Sequence, residues 1–137
     1  TPDALVNILS AIKSCSSGRV VCLFGCGGNR DKRKRPLMAR AAAENADFLV
    51  VTSDNPRDED PEDIIKDVLT GLDGTDTPYV TISDRIEAIH WAVKNAQKHD
   101  IIILAGKGHE DYQILPGGVK IHLDEREVVA EALKELK

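Results

Sequence analysis

Arg-Val-Val-Cys-Leu-Phe-Gly-Cys-Gly-Gly, residues 19–28, is the stretch that decides the fold class. Its apolar residues form one continuous run, which is typical of a strand buried on both faces of a sheet. The glycines that follow predict a tight turn where this strand ends. Comparable apolar runs recur at residues 48–52, 79–82 and 101–105, each separated from the next by a segment with helical signals.

Strands that alternate with helices predict an α/β, Rossmann-like domain with a mostly parallel sheet and helices on both faces. The chain has 137 residues, which favours a single domain. A hairpin of residues 112–115 and 119–123 is expected at the edge of the sheet. Helical spacing, N-cap residues and early prolines predict the helices at residues 2–15, 36–46, 60–71, 84–97 and 124–136.

Bulk properties exclude several classes of protein. No apolar run approaches the ~20 residues of a membrane span. Three cysteines, an odd number, argue against a disulfide framework and favour a cytoplasmic protein, and their spacing predicts no metal site. The chain does not begin with Met, which is expected of a piece of a longer protein.

Charge is concentrated in one segment of an otherwise acidic chain. The net charge is −5, yet residues 30–35 carry five cations and one acid. A nucleic-acid binder is more often basic over a whole face, so this pattern predicts a small anionic ligand and no nucleic acid. The scarcity of aromatic residues also disfavours an RNA-binding function, because few are present to stack on bases.

Three loops are expected at the carboxyl edge of the sheet, where ligands bind in open α/β folds. The first, residues 25–35, combines glycines with cations and precedes a helix predicted to begin at Pro36. Its backbone and the positive end of that helix suit a phosphate or carboxylate, although a solvated, flexible charge run remains an alternative. No Gly-Lys-Ser/Thr or complete Gly-x-Gly-x-x-Gly motif is present.

The second and third loops, residues 53–60 and 106–111, carry groups that suit a zwitterionic ligand. In Asp54-Asn55-Pro56-Arg57, the Asp carboxylate can pair with a ligand ammonium, and the planar Arg guanidinium can donate two hydrogen bonds to a ligand carboxylate. These four residues alone are typical of an ordinary turn. In the third loop Glu110 can accept from an amine. His109 is a candidate general base or, as we favour, a residue that orients the loop. No catalytic triad is evident, so we predict no catalytic residue.

These segments resemble a known family. Gly25–Pro36, Ser53–Pro61 and Gly106–Gln113, together with Thr1-Pro2-Asp3 and Asp124–Glu127, are similar to the C-terminal domain of Mur ligases of the MurE type. The resemblance implies an ATP-dependent carboxylate–amine ligase that adds meso-diaminopimelate to UDP-N-acetylmuramoyl-L-alanyl-D-glutamate in peptidoglycan synthesis. It also implies that residues 1–137 are the amino-acid-binding domain, that the N-terminal and central domains are absent, and that the chain alone is inactive.

The resemblance assigns site residues through the shared motifs. The Asp-Asn-Pro-Arg sequence marks diaminopimelate addition in the family, which implies a binding site of Arg30, Asp54, Asn55, Arg57, Gly106 and Glu110. Lys32, Lys34 and Arg35 are candidates to approach ATP phosphate, whereas ATP, Mg²⁺ and the UDP-linked substrate are expected mainly in other domains. Asn29 and Arg33 depart from the family, which more often has an acid and a glycine there. A stand-alone nucleotide- or anion-binding module is the alternative function.

Overall fold

The computed structural model describes residues 1–107 and 110–136. Two short 3₁₀ turns, Thr70–Leu72 and Pro116–Gly118, accompany the main elements. In chain order these are α1 (Pro2–Cys15), β1 (Val20–Phe24), α2 (Lys34–Asn45), β2 (Phe48–Val51), α3 (Pro61–Leu69), β3 (Tyr79–Thr81), α4 (Arg85–Lys94), β4 (Ile101–Leu104), β5 (Tyr112–Ile114), β6 (Lys120–His122) and α5 (Glu125–Lys134).

The sheet confirms the α/β prediction. Four strands pair in the order β3-β2-β1-β4, and every pair is parallel. Alternate residues of β1 enter opposite cores, because successive side chains of a strand point to opposite faces. Cys22 packs with α1, α2 and α3, whereas Leu23 packs with α4. Helices therefore cover both faces of the sheet.

Most helices begin where their capping residues predict. The Asp60 side chain accepts from Glu62 N at 2.9 Å to start α3, and Asp84 accepts from Glu87 N at 3.0 Å to start α4. Helix α2 begins at Lys34, two residues before the predicted start at Pro36. The earlier start is possible because Pro36 still lies in the first turn, where its missing N–H removes no intrahelical hydrogen bond.

The hairpin forms, but the prediction that it extends the edge of the parallel sheet is wrong. Among the described residues β5 pairs only with β6, in a separate two-stranded antiparallel sheet. The loop after β2 holds it there, because Arg57 N donates to Ile114 O at 3.1 Å and Gln113 Nε2 donates to Asp54 O at 2.7 Å. The hairpin therefore packs against the loop that follows β2.

Two carboxylates tie together the amino ends of the central strands. Asp47 Oδ2 accepts from Val20 N at 2.8 Å, at the start of β1. The Arg19 guanidinium donates to both carboxylate oxygens of Asp100, at 3.0 and 2.7 Å, and so links the segments that enter β1 and β4. Across the described part of the chain, the helices are too short or too polar for a bilayer crossing.

Candidate functional site

The three predicted loops meet at the carboxyl edge of the sheet. Gly28 N donates to Asn55 O at 2.8 Å, which joins the loop after β1 to the loop after β2. Gly106 has a φ of +110°, and a Cβ built on it would lie 3.7 Å from Asp54 Oδ2. The loop after β4 therefore contacts the loop after β2, and the predicted convergence is confirmed.

A crevice of about 500 Å³ opens between these loops. Arg30, Asp54 and Gly106, three of the six predicted binding residues, line it together with Lys34. The remainder of its wall comes from the glycine loop, the start of α1 and two residues of α2, Arg35 and Met38. Cations and a carboxylate thus share one cavity, which suits a ligand that carries both charges.

Two further predicted residues, Asn55 and Glu110, lie around a buried ammonium group. Lys107 is only 2% exposed, and its Nζ donates to Asn55 Oδ1 at 3.1 Å and to Tyr112 O at 2.8 Å. The same Nζ lies 3.5 Å from Asp54 Oδ1 and 3.8 Å from Glu110 Oε1. Sequence reasoning missed this role for Lys107, because its side-chain partner Asn55 lies 52 residues away in the chain.

Arg57 reaches the same region from a left-handed backbone conformation, with a φ of 52°. Its Nη1 donates to Gly28 O at 3.0 Å and, at 3.4 Å, to Asn55 O. A Cβ added at Gly27, a crevice residue, would lie 2.8 Å from that Nη1. Within residues 1–107 and 110–136, Arg57 Nε and Nη2 donate to no acceptor, so the guanidinium is anchored at the crevice and keeps donors for a ligand.

Arg35 corrects the prediction for the basic loop. Its guanidinium is buried, donating to Asp67 Oδ2 at 2.9 Å, Glu59 Oε2 at 2.8 Å and Gly27 O at 3.0 Å. A cation held in this way has a structural role and is not placed to bind ATP phosphate. The hydrogen bond from Arg35 is the main cause that lowers the pKa of Glu59.

The other basic residues of this loop are placed differently. Lys34 is exposed and lines the crevice. Lys32 is exposed as well, and its Nζ lies 3.8 Å from Glu59 Oε1. Lys32 and Lys34 therefore remain candidates for a phosphate contact.

Asn29 and Arg33, the two departures from the family pattern, each have a local partner. Asn29 Nδ2 donates to Asp58 Oδ2 at 3.2 Å, and Asp58 N donates back to Asn29 Oδ1 at 3.3 Å. An acid at position 29 would instead face the Asp58 carboxylate. Arg33 pairs with Asp31 at 3.0 Å on the surface. Neither departure displaces a predicted binding residue.

Nucleophilic and metal chemistry receive little support from this region. Burial raises the pKa of Cys26, which lines the crevice, to about 11, so its thiol is protonated at neutral pH. His109, the candidate base, lies outside the described residues. In the parts of the chain that the structure describes, no group of three or more His, Cys, Asp or Glu residues is arranged to hold a metal ion.

Comparisons with known proteins show the family to which the chain belongs. The family model described as "Mur ligase, glutamate ligase domain" matches residues 1–108. The "UDP-N-acetylmuramoyl-L-alanyl-D-glutamate--2,6-diaminopimelate ligase" of Caldanaerobacter subterraneus subsp. tengcongensis is 55% identical over 135 residues, 98% of this chain and 28% of that protein. The ligase of the same name from Synechocystis sp. is 55% identical over 133 residues, 97% of this chain and 26% of that protein.

A solved structure is also similar. The "Structure of UDP-N-acetylmuramoyl-L-alanyl-D-glutamate--2, 6-diaminopimelate ligase" superposes with a TM-score of 0.91 and 43% identity, covering 99% of this chain and 28% of that one. The chain therefore spans only about a quarter of the length of the relatives that it matches.

Proposed function

The chain belongs to the Mur ligase family, glutamate ligase domain, and from that premise we propose that residues 1–137 are the amino-acid-binding domain of an ATP-dependent ligase. The proposed reaction joins meso-diaminopimelate to UDP-N-acetylmuramoyl-L-alanyl-D-glutamate in peptidoglycan synthesis, in the cytoplasm. The observation that carries the proposal is that the Asp54-Asn55-Pro56-Arg57 loop meets Arg30, Gly106 and, through Lys107, Glu110.

The groups around the crevice suit the far end of diaminopimelate, which carries an ammonium and a carboxylate on one carbon. Arg57 is the cation for that carboxylate, and a guanidinium can bind it through two parallel hydrogen bonds. Asp54 and Glu110 are the anions for the ammonium. L-Lysine lacks the second carboxylate, so it would leave the Arg57 guanidinium unpaired and bind poorly.

The proposed contribution of this chain is to bind and orient the amino acid whose amine attacks the activated glutamyl carboxylate. Lys32 and Lys34, both exposed, are the proposed contacts to ATP phosphate when the rest of the ligase is present. The described residues offer no metal cluster, so we assign no Mg²⁺-dependent step to this chain.

The experiment is steady-state ligation by the full-length enzyme with meso-diaminopimelate and with L-lysine. Losing one partner of a desolvated charge pair typically costs about 2–5 kcal/mol, so Arg57→Ala should reduce kcat/KM for diaminopimelate by at least about ten-fold. Most of the loss should be in KM. Arg57→Lys should rescue little, because an ammonium cannot make the two-pronged contact.

Arg33→Ala is the matched control, because Arg33 is an exposed arginine of the basic loop whose side chain pairs with Asp31 on the surface. It should leave the kinetics with both amino acids unchanged. Activity with lysine should stay equally low or rise slightly in Arg57→Ala. If that variant kept its full preference for diaminopimelate, Arg57 would not be the selector, and Arg30 would be the next residue to test.

A further inference from the structure

Lys107 is a buried cation at the centre of the candidate site. Its side chain is 0% exposed, so bulk solvent does not reach its charge. A buried ammonium is stable only where acceptors and anions replace water. Asn55 Oδ1 and Tyr112 O are those acceptors, and Asp54 and Glu110 are those anions.

The contacts of Lys107 fix the orientation of the Asn55 amide. Asn55 Oδ1 accepts from Lys107 Nζ at 3.1 Å and from Ile114 N at 2.9 Å. Both partners are donors, so only the oxygen of the amide can occupy this position. Nδ2 donates to no acceptor within residues 1–107 and 110–136, so it is the side of the amide that can donate to a ligand carboxylate.

Lys107 also sets the charge of the site. Asp54 and Glu110 place two carboxylates near its Nζ, at 3.5 and 3.8 Å. One ammonium balances one of these charges and leaves a single negative charge for the ligand. That remainder matches one ligand ammonium, whereas two uncompensated carboxylates would repel each other and move apart.

We propose that Lys107 is a positioning residue that determines how the site recognises its amino acid, by turning the Asn55 amide donor towards the ligand carboxylate and by balancing Asp54 against Glu110. This inference rests on the proposed function. It assigns Lys107 no phosphate contact, since its ammonium is buried and already bonded within the chain.

The first test is Lys107→Met in the full-length ligase, which keeps the length of the side chain but removes its charge and donors. Loss of hydrogen bonds to a charged group should raise KM for meso-diaminopimelate by about ten-fold or more. KM for ATP and for the UDP-linked substrate should not change. Lys107→Arg restores a cation and should recover part of the affinity.

Arg85→Met is the matched control for a buried cation. Arg85 is 1% exposed and donates to Ser53 O and Ala105 O, at the base of the same loops, and to Glu125, but to none of the predicted binding side chains. Its loss should lower the melting temperature without a selective rise in KM for the amino acid. If Lys107→Met gave the same result as Arg85→Met, Lys107 would be merely structural and the inference would fail.

Asn55→Asp tests the amide orientation by changing Asn55 instead of Lys107. The Asp side chain still accepts from Lys107 and Ile114 N, so the local fold is kept. The substitution removes the Nδ2 donor and adds a negative charge, and should raise KM for diaminopimelate even if Lys107→Met does not fold. In a double-mutant cycle, the effects of Lys107→Met and Asn55→Ala on KM for diaminopimelate should be less than additive. Unchanged KM in Asn55→Asp overturns the inference, whereas a wild-type ligase that does not use diaminopimelate overturns the proposed function instead.

Discussion

Gly28 is a residue at which the backbones of the first and second loops are in contact. Its N–H donates to Asn55 O at 2.8 Å, and its carbonyl accepts from Arg57 Nη1 at 3.0 Å. A Cβ at this position would lie 1.8 Å from Pro56 O, closer than any real contact. Glycine is therefore required here because two backbones touch, and the placement of Arg57 depends on that contact.

Gly28→Ala should displace the Asn55–Arg57 loop and lower the free energy of unfolding by more than about 2 kcal/mol. Gly74→Ala is the control, because Gly74 has a φ of +81° but no atom within 4 Å of an added Cβ. Backbone strain alone should cost about 1 kcal/mol there. Urea unfolding of the three proteins measures the difference, and equal losses would show that the loop contact contributes little.

At the scale of elements, the amino ends of the strands contain acid-sensitive contacts. The hydrogen bond from Val20 N lowers the pKa of Asp47, and the hydrogen bond from Arg19 lowers the pKa of Asp100. A carboxylate whose pKa is lower in the folded state stabilises the fold above its unfolded pKa of about 4. That stability is lost as the pH falls through the lower, folded value.

Asp100→Asn should therefore destabilise the chain at neutral pH and weaken the loss of stability below about pH 4. Asp76→Asn is a suitable control, because Asp76 is exposed and its side chain makes no hydrogen bond within the described residues. The measurement is the free energy of unfolding in urea as a function of pH. An Asp100→Asn protein with the acid dependence of wild type would contradict the role given to the Arg19–Asp100 pair.

Local patterns in the sequence predicted the helices and strands. The roles of Arg35 and Lys107 were missed, because they depend on contacts between residues that are distant in the chain. Capping aspartates and apolar runs lie next to the helices and strands that they specify, so the fold class and the meeting of three loops could be predicted. Arg35 is buried by Asp67 and Glu59, which lie 32 and 24 residues away. Lys107 and Asn55 are 52 residues apart. Such pairings follow from how the loops pack.

At the scale of the whole molecule, charge separates into a cationic loop and an acidic body. Arg30 and Lys34 are exposed at the crevice, and Lys32 is exposed on the same loop, in a chain of net charge −5. Exposed cations attract phosphate mainly through long-range charge, which salt screens. The buried, internally bonded cations, Arg35 and Lys107, have no such function. Among the described residues, the exposed cations therefore remain candidates for a phosphate contact, whereas the buried ones do not.

The isolated 137-residue chain should therefore hydrolyse no ATP above background, with or without Mg²⁺. Phosphoryl transfer in P-loop enzymes needs backbone N–H groups and a lysine around the phosphates, with a following Ser or Thr on the metal. Here Gly106-Lys107 is followed by Gly108, and the Lys107 ammonium is bonded to Asn55 Oδ1 and Tyr112 O. Phosphate release measures turnover, and calorimetric titration at low and high salt measures binding, which should be weak and disappear as salt screens the exposed cations. Salt-resistant ATP binding with robust turnover by the pure chain would contradict this prediction. Such a result would require a complete phosphate site within these 137 residues, and would favour a stand-alone nucleotide-binding module.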